Sequence, residues 1–269
     1  MSTRIQQRWT ELQARGEKAL IGFVMAGDPD FPNSIEIVLA LAEAGVDIME
    51  LGVPFSEPIA DGPVLVRAGD RAIAKGAFLP AILEMVREIR KRSEVPLLLF
   101  SYLNPIMRYG FERFAQDAVA CGADGALITD LSVEEAGPYV TEMRRQGLDT
   151  VFLAAPTSTD KRLRRVAELS TGFVYAITRT GVTGARETLS ASVKPLIERL
   201  RGITSLPIAA GFGISRPEHL ADLAPVVDGV VVGSALVQCL EQHLDNPAPH
   251  MAQFARQLKQ GFGVQSRKS

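Results

Sequence analysis

The chain has 269 residues, 46% of them hydrophobic and 22% charged, the balance of a globular protein with a sizeable core. Its 29 basic and 31 acidic side chains leave a formal charge of −2, which removes the electrostatic case for nucleic acid or an anionic membrane as a partner. No apolar run reaches the ~18 residues that a membrane span needs, and residues 1–15 lack the apolar stretch of a secretory leader.

Residues 1–15 read instead as an amphipathic helix, with Ile5, Trp9, Leu12 and Leu20 along one side. From there short apolar runs alternate with longer helical patterns. The runs fall at 19–25, 46–51, 95–100, 125–128, 150–153, 173–177, 207–210 and 229–232, each apolar on both faces, as strands inside a parallel sheet should be. Helical stretches lie at 33–44, 80–92, 111–121, 133–146, 160–169, 190–201 and 216–223. Several open on a cap or an early proline, as at Ser215-Arg-Pro217, and several close on glycine, as at Gly45, Gly122 and Gly147. Eight βα units with no linker predict a single closed (β/α)8 TIM barrel over 1–269, with an extra N-terminal helix and a frayed tail from about 264. A doubly wound sheet is the alternative arrangement. Cys121 and Cys239 sit in apolar surroundings, which predicts buried free thiols and a reducing cytoplasm.

Barrel enzymes place their chemistry at the C-terminal ends of the strands. Glu50 falls there, within the apolar second run. An acid facing a barrel mouth is desolvated, which raises its pKa and suits proton transfer near neutral pH; a salt bridge on the rim is the other reading. Asp61 follows in the long Pro- and Gly-containing connection 52–62, either as a second carboxylate with a separate role or as the cap of a helix starting near Pro63. Gly211-Phe212-Gly213 after the seventh run and Gly233-Ser234 after the eighth stand where barrels bind phosphate, because glycine lets backbone N–H groups approach an anion. Gly184 lies in the second long connection, 178–189. Phe23, Phe100, Tyr102, Leu127, Tyr175 and Phe212 could line a slot for a flat aromatic ligand, or simply pack the barrel. His219, His243 and His250 lie away from strand ends, and no lysine stands in or directly after a strand, which speaks against a Schiff-base aldolase. HExxH, CxxC, GxSxG and Walker patterns are absent. Carboxylate acid–base chemistry on a phosphorylated substrate remains, without metal or organic cofactor.

The stretch Glu50-Leu-Gly-Val-Pro-Phe-Ser56 followed by Ala60-Asp-Gly-Pro63 resembles the signature of the tryptophan synthase α subunit family. So do Ala26-Gly-Asp-Pro29, Tyr102-x-Asn104-Pro105, Ala155-Pro-Thr-Ser-Thr159, Gly172-Phe-Val-Tyr175, Gly181-Val-Thr-Gly184 and Gly211-Phe-Gly-Ile-Ser215, from about Ile5 to Gln260. The resemblance implies a lyase that splits indole-3-glycerol phosphate into indole and glyceraldehyde 3-phosphate in tryptophan biosynthesis. It implies Glu50 as the catalytic acid–base, Asp61 as the carboxylate on the indole N–H, Tyr175 as the residue positioning Glu50, and Thr183 as a lid threonine closing over Asp61. Phe23, Phe100, Tyr102, Leu127 and Phe212 would hold indole, and Gly184, Gly211, Gly213, Gly233 and Ser234 the phosphate. A β subunit carrying pyridoxal phosphate would complete an α2β2 tetramer, meeting this chain around Glu57, Pro58, Asn104 and Ser132. Three positions depart from the family pattern: Glu57 for the usual Asp, Val66 for Gln, and Ser132 for Pro. The first and third lie at the expected interface. A stand-alone lyase, a barrel acting mainly as activator of a partner, and another phosphosugar barrel such as an isomerase or epimerase are the competing readings.

Overall fold

The computed structural model describes residues 2–177, 189–211 and 213–262. Helix α1 (Arg4–Arg15) leads into strand β1 (Ala19–Met25), α2 (Phe31–Glu43) and β2 (Ile48–Gly52). Two helices follow, α3 (Pro63–Ala74) and α4 (Leu79–Arg90), then β3 (Leu97–Ser101). Helices α5 (Leu103–Tyr109) and α6 (Phe111–Cys121) precede β4 (Gly125–Ile128), α7 (Gly137–Arg145) and β5 (Asp149–Ala154). The second half runs α8 (Asp160–Leu169), β6 (Val174–Ile177), α9 (Leu189–Arg201), β7 (Ile208–Gly211) and α10 (Pro217–Leu223). It closes with β8 (Gly229–Val232), α11 (Ser234–Glu241) and α12 (Pro247–Gln260). All neighbouring strands are parallel, and β8 pairs back onto β1, with Ala19 opposite Gly229. The barrel is therefore closed, as expected, and the doubly wound alternative is set aside.

Two apolar layers result. Outward-facing strand residues such as Val24, Leu51, Leu99 and Val230 pack beneath the helices. Inward-facing Ile21, Ile48, Leu98, Leu127, Val151 and Tyr175 fill the barrel, and α1 plugs its N-terminal end with Ile5, Trp9 and Leu12. The Thr3 side chain caps α1 by accepting from Gln6 N–H, and Gly16 ends it at φ 64°, a left-handed geometry suited to glycine. Leu20 is not part of this helix; it belongs to β1 and faces the outer layer.

Acids at the N-terminal ends of the strands peg neighbouring backbone. Asp47 accepts from Leu20 N–H at 2.9 Å, Asp124 from Leu97 N–H at 2.8 Å, and Asp228 from Ile208 N–H at 2.8 Å. β2 starts at Ile48 rather than at 46: the chain turns at Ala44-Gly45 after α2, and Asp47 lies in a bend that carries the first peg. Similarly β3 starts after Pro96, which has no N–H to give to a ladder. The helix expected over 133–146 begins only at Gly137-Pro138, because Ser132 closes a hydrogen-bonded turn with Glu135 first. Cys121 is buried and Cys239 only half-buried; both thiols are free.

Candidate active site

Glu50 sits on β2 between Phe23 of β1 and Leu98 of β3 in the strand register, and is 1% exposed. Its Oε1 has no hydrogen-bond partner among the described residues, and burial pushes its carboxyl up to about 8. The other buried acids differ. Asp47 and Asp124 hold strand ends, Asp149 accepts from Gln6 at 2.7 Å, and Asp28 is clasped by Arg71. They sit in completed hydrogen-bond sets, whereas among the described residues the Glu50 Oε1 meets no donor in an apolar barrel. It makes no salt bridge on the rim, so the bland alternative for this residue does not hold among the described residues.

Tyr175, on β6, is buried with its hydroxyl pKa raised, first by burial and then by the charge of Glu50. The phenol and the carboxyl therefore share one electrostatic environment. Gly211 makes room for it: a Cβ there would lie 2.3 Å from the Tyr175 hydroxyl oxygen. This steric reason for glycine at 211 exists whether or not an anion binds nearby.

Asp61 follows the turn after β2. It does not cap α3, whose N-cap is Gly62 with no side-chain bond. Burial raises its pKa, and a hydrogen bond from the Tyr102 hydroxyl pulls it back. That hydroxyl also accepts from Ala60 N–H at 3.0 Å, and the ring of Phe55 stands 5.5 Å from that of Tyr102. Tyr102 thus holds the Asp61 loop from across the mouth, an arrangement its type and position in the sequence do not disclose.

Phe23 and Phe100 meet edge to face at 5.3 Å. Gly52 admits this pair, since a Cβ there would come within 2.5 Å of the Phe23 ring; the sequence offered only a glycine at a strand end. Leu127 is fully buried opposite Phe100 in the register and forms part of the apolar floor.

On the other side of the mouth, Gly213 has φ 69°, a left-handed conformation natural to glycine. Gly233 is the N-cap of α11 with no side-chain cap among the described residues; Leu236 and Val237 N–H donate to its carbonyl, which leaves the N–H groups of Ser234 and Ala235 to face an anion. Phe212, Thr183 and Gly184 lie outside the described residues, as do most of the 178–189 connection and the tail from 264.

Glu57 and Asn104 are exposed, and Pro58 and Ser132 are half-buried, on the loops and the short helix that surround the mouth. Ile59 is 85% exposed beside Glu57, and Met107 on α5 is 58% exposed. Among the described residues no group of three or more His, Cys, Asp or Glu is placed to hold a metal, and no helix is long and apolar enough to cross a membrane.

Fold and site define a (β/α)8-barrel enzyme with carboxylates at the C-terminal mouth. The family model described as tryptophan synthase alpha chain matches residues 9–265. A tryptophan synthase alpha chain of Solibacter usitatus is 55% identical over 98% of this chain and 100% of its own length. One from Desulfatibacillum aliphaticivorans is 45% identical over 95% of this chain and 97% of its own. A crystal structure of tryptophan synthase subunit alpha from Legionella pneumophila superposes with a TM-score of 0.88 at 32% identity, covering 98% of this chain and 99% of that one. A structure of Mycobacterium tuberculosis tryptophan synthase gives 0.88 at 35% identity, covering 97% and 99%. The chain belongs to the tryptophan synthase alpha chain family, and the expected role as a lyase of tryptophan biosynthesis stands with it.

Proposed function

We propose that Glu50 and Asp61 carry out a retro-aldol cleavage of indole-3-glycerol phosphate in this mouth. The observation that carries this reading is Glu50: a buried acid whose Oε1 has no partner among the described residues, held protonated at neutral pH by burial. A neutral carboxyl can deliver its proton to indole C3. Protonation there leaves positive charge on the ring, and an ionised Asp61 at the indole N–H stabilises it. The carboxylate left on Glu50 then accepts the proton of the glycerol hydroxyl next to the ring. As that O–H electron pair becomes the aldehyde C=O, the bond from C3 to the glycerol carbon breaks and its electrons return to the indole ring. Tyr175 keeps Glu50 in place, the Phe23–Phe100 pair and Leu127 flank the ring, and Gly211, Gly213, Gly233 and Ser234 face the phosphate. Phe212, Thr183 and Gly184 would complete the pocket and lid.

The exposed apolar side chains of Ile59 and Met107, beside Glu57, Pro58, Asn104 and Ser132, suit docking of a β subunit that carries pyridoxal phosphate, in an α2β2 assembly in the cytoplasm. This chain itself would need no cofactor. The test is indole release by the purified chain from indole-3-glycerol phosphate, alone and with a β subunit from the same source. Release that rises with the β subunit is expected; no release in either condition would overturn the reading.

A further inference from the structure

Beside the site, four charged side chains join three elements. Asp28, in the loop after β1, is 1% exposed, and Arg71 of α3 donates from Nε to one of its oxygens and from Nη2 to the other, both at 2.8 Å. The third nitrogen, Nη1, donates to Glu241 Oε1 of α11 at 3.0 Å. Arg67, one turn earlier on α3, donates to both Glu241 oxygens at 2.7 Å. These contacts hold the carboxyl of Glu241 down at about 2, with the Arg67 bond the largest cause.

The placement of the two helices gives this network its meaning. Helix α3 begins two residues after Asp61, and α11 begins at Ser234, at the open N–H end described above. Where α3 faces α11 and the barrel, its fully buried side chains are the small Ala68 and Ala72, packed with Phe23, Met25 and Val237, while Val64 and Leu65 at its start are only partly buried. Small apolar contacts bury area but fix sliding poorly, whereas a forked guanidinium bound to two carboxylates fixes both distance and direction. We propose that Arg71 is a positioning residue: by bridging Asp28 and Glu241 it sets α11, and hence the phosphate-facing amides at Ser234, against the helix that follows Asp61. This rests on the reading of Asp61 and Ser234 given above.

Glu241 stands at the far end of α11 from Ser234, about 10 Å along the axis. A rigid helix transmits a shift at one end to the other, and displacements near 1 Å can cost up to about 100-fold in rate. Removing Arg71 altogether would strand a buried Asp28 and endanger the fold. Glu241→Leu instead cuts only the α11 link and leaves the Asp28–Arg71 pair intact. Glu241→Gln keeps an acceptor oxygen, and Arg71→Lys keeps the charge without the fork.

The experiment measures glycerol 3-phosphate affinity, kcat and KM separately, and Tm, for wild type and the three variants. Glu241→Leu and Arg71→Lys are expected to weaken glycerol 3-phosphate binding at least about fivefold and to lower kcat, with Glu241→Gln recovering part of both. A network that only supports the fold would lower Tm and leave affinity and kcat of the folded protein unchanged, and that result overturns the proposal. A wild type that neither binds glycerol 3-phosphate nor releases indole would overturn the functional reading itself, so the two failures are distinct.

Discussion

Ionising a carboxyl inside a closed barrel costs far more than in water, and the cost is measurable at Glu50. Its value in the fold, about 8, lies above the ordinary 4.5. A group raised in this way contributes stability that is fully present below the unfolded value and lost as pH rises through the folded one. Glu50→Gln carries no such proton. Its Tm should match the wild type below about pH 4.5, gain on it up to about pH 8, and then run parallel. Thermal melts of both proteins across that window are the check; curves parallel throughout would mean that Glu50 titrates as an ordinary surface acid. Tyr102 gives a second case. Its hydroxyl lowers the pKa of Asp61, which burial otherwise raises. If Asp61 works as an anion, kcat/KM falls as pH drops through that pKa, and Tyr102→Phe moves this acidic limb to higher pH. A pH profile with the limb unmoved, or moved to lower pH, would count against an ionised Asp61 held by Tyr102. The positions of Glu50 and Asp61 at the barrel mouth are readable from sequence because strand ends carry barrel chemistry. The Tyr102–Asp61 contact is not, since it spans 41 residues and depends on a loop folding across the mouth.

Strands and loops determine what those residues can reach. Gly211 ends β7 directly against the Tyr175 hydroxyl of β6. Gly211→Ala should therefore destabilise the protein and displace Tyr175, and part of the cost should vanish when Tyr175→Phe removes the hydroxyl. A coupling of at least about 0.5 kcal/mol in a double-mutant cycle by denaturant unfolding is expected. Strict additivity would show that Tyr175 and Gly211 do not share this contact. All eight strands are legible in the sequence because each is short, apolar on both faces and bounded by helical patterns. Helix α5 is not: it has seven residues, follows β3 after one intervening residue, and its first N–H is satisfied by Asp130 from a different loop. Helix α11 hides behind Gly233-Ser234, which reads as a turn, and α12 carries a sparse apolar pattern of Met251, Ala252, Ala255 and Leu258. Local pattern identifies elements that bury whole faces; it misses those that are short, sparsely apolar or, like α5, held at their start from elsewhere in the chain.

At the scale of the whole molecule, the expected partner surface and the site share the same rim. Glu57 is exposed on the loop that leads to Asp61, and Ser132, where the resemblance leads to an expectation of proline, closes its turn through Glu135. A hydroxyl-closed turn is less restricted than one fixed by proline. Activation by a β subunit would be a shift of population toward a closed state, and about 1.4 kcal/mol of bias changes such a ratio tenfold. The double variant Glu57→Asp with Ser132→Pro should accordingly be activated more by saturating β subunit than the natural chain is, read as the fold-increase in indole release. Equal or weaker activation of the variant would show that these positions do not tune coupling. In the proposed mechanism both the partner's effect and the lid's would depend in turn on proton transfer at Glu50. The most direct measurement is the rate of indole release from indole-3-glycerol phosphate by Glu50→Gln beside wild type, each with saturating β subunit and with glycerol 3-phosphate binding confirmed. Loss of a positioned acid–base typically costs about 10²–10⁴ in rate, so a fall of at least about 100-fold with intact phosphate binding is expected, whereas a variant keeping more than about a tenth of the wild-type rate would contradict the role of Glu50.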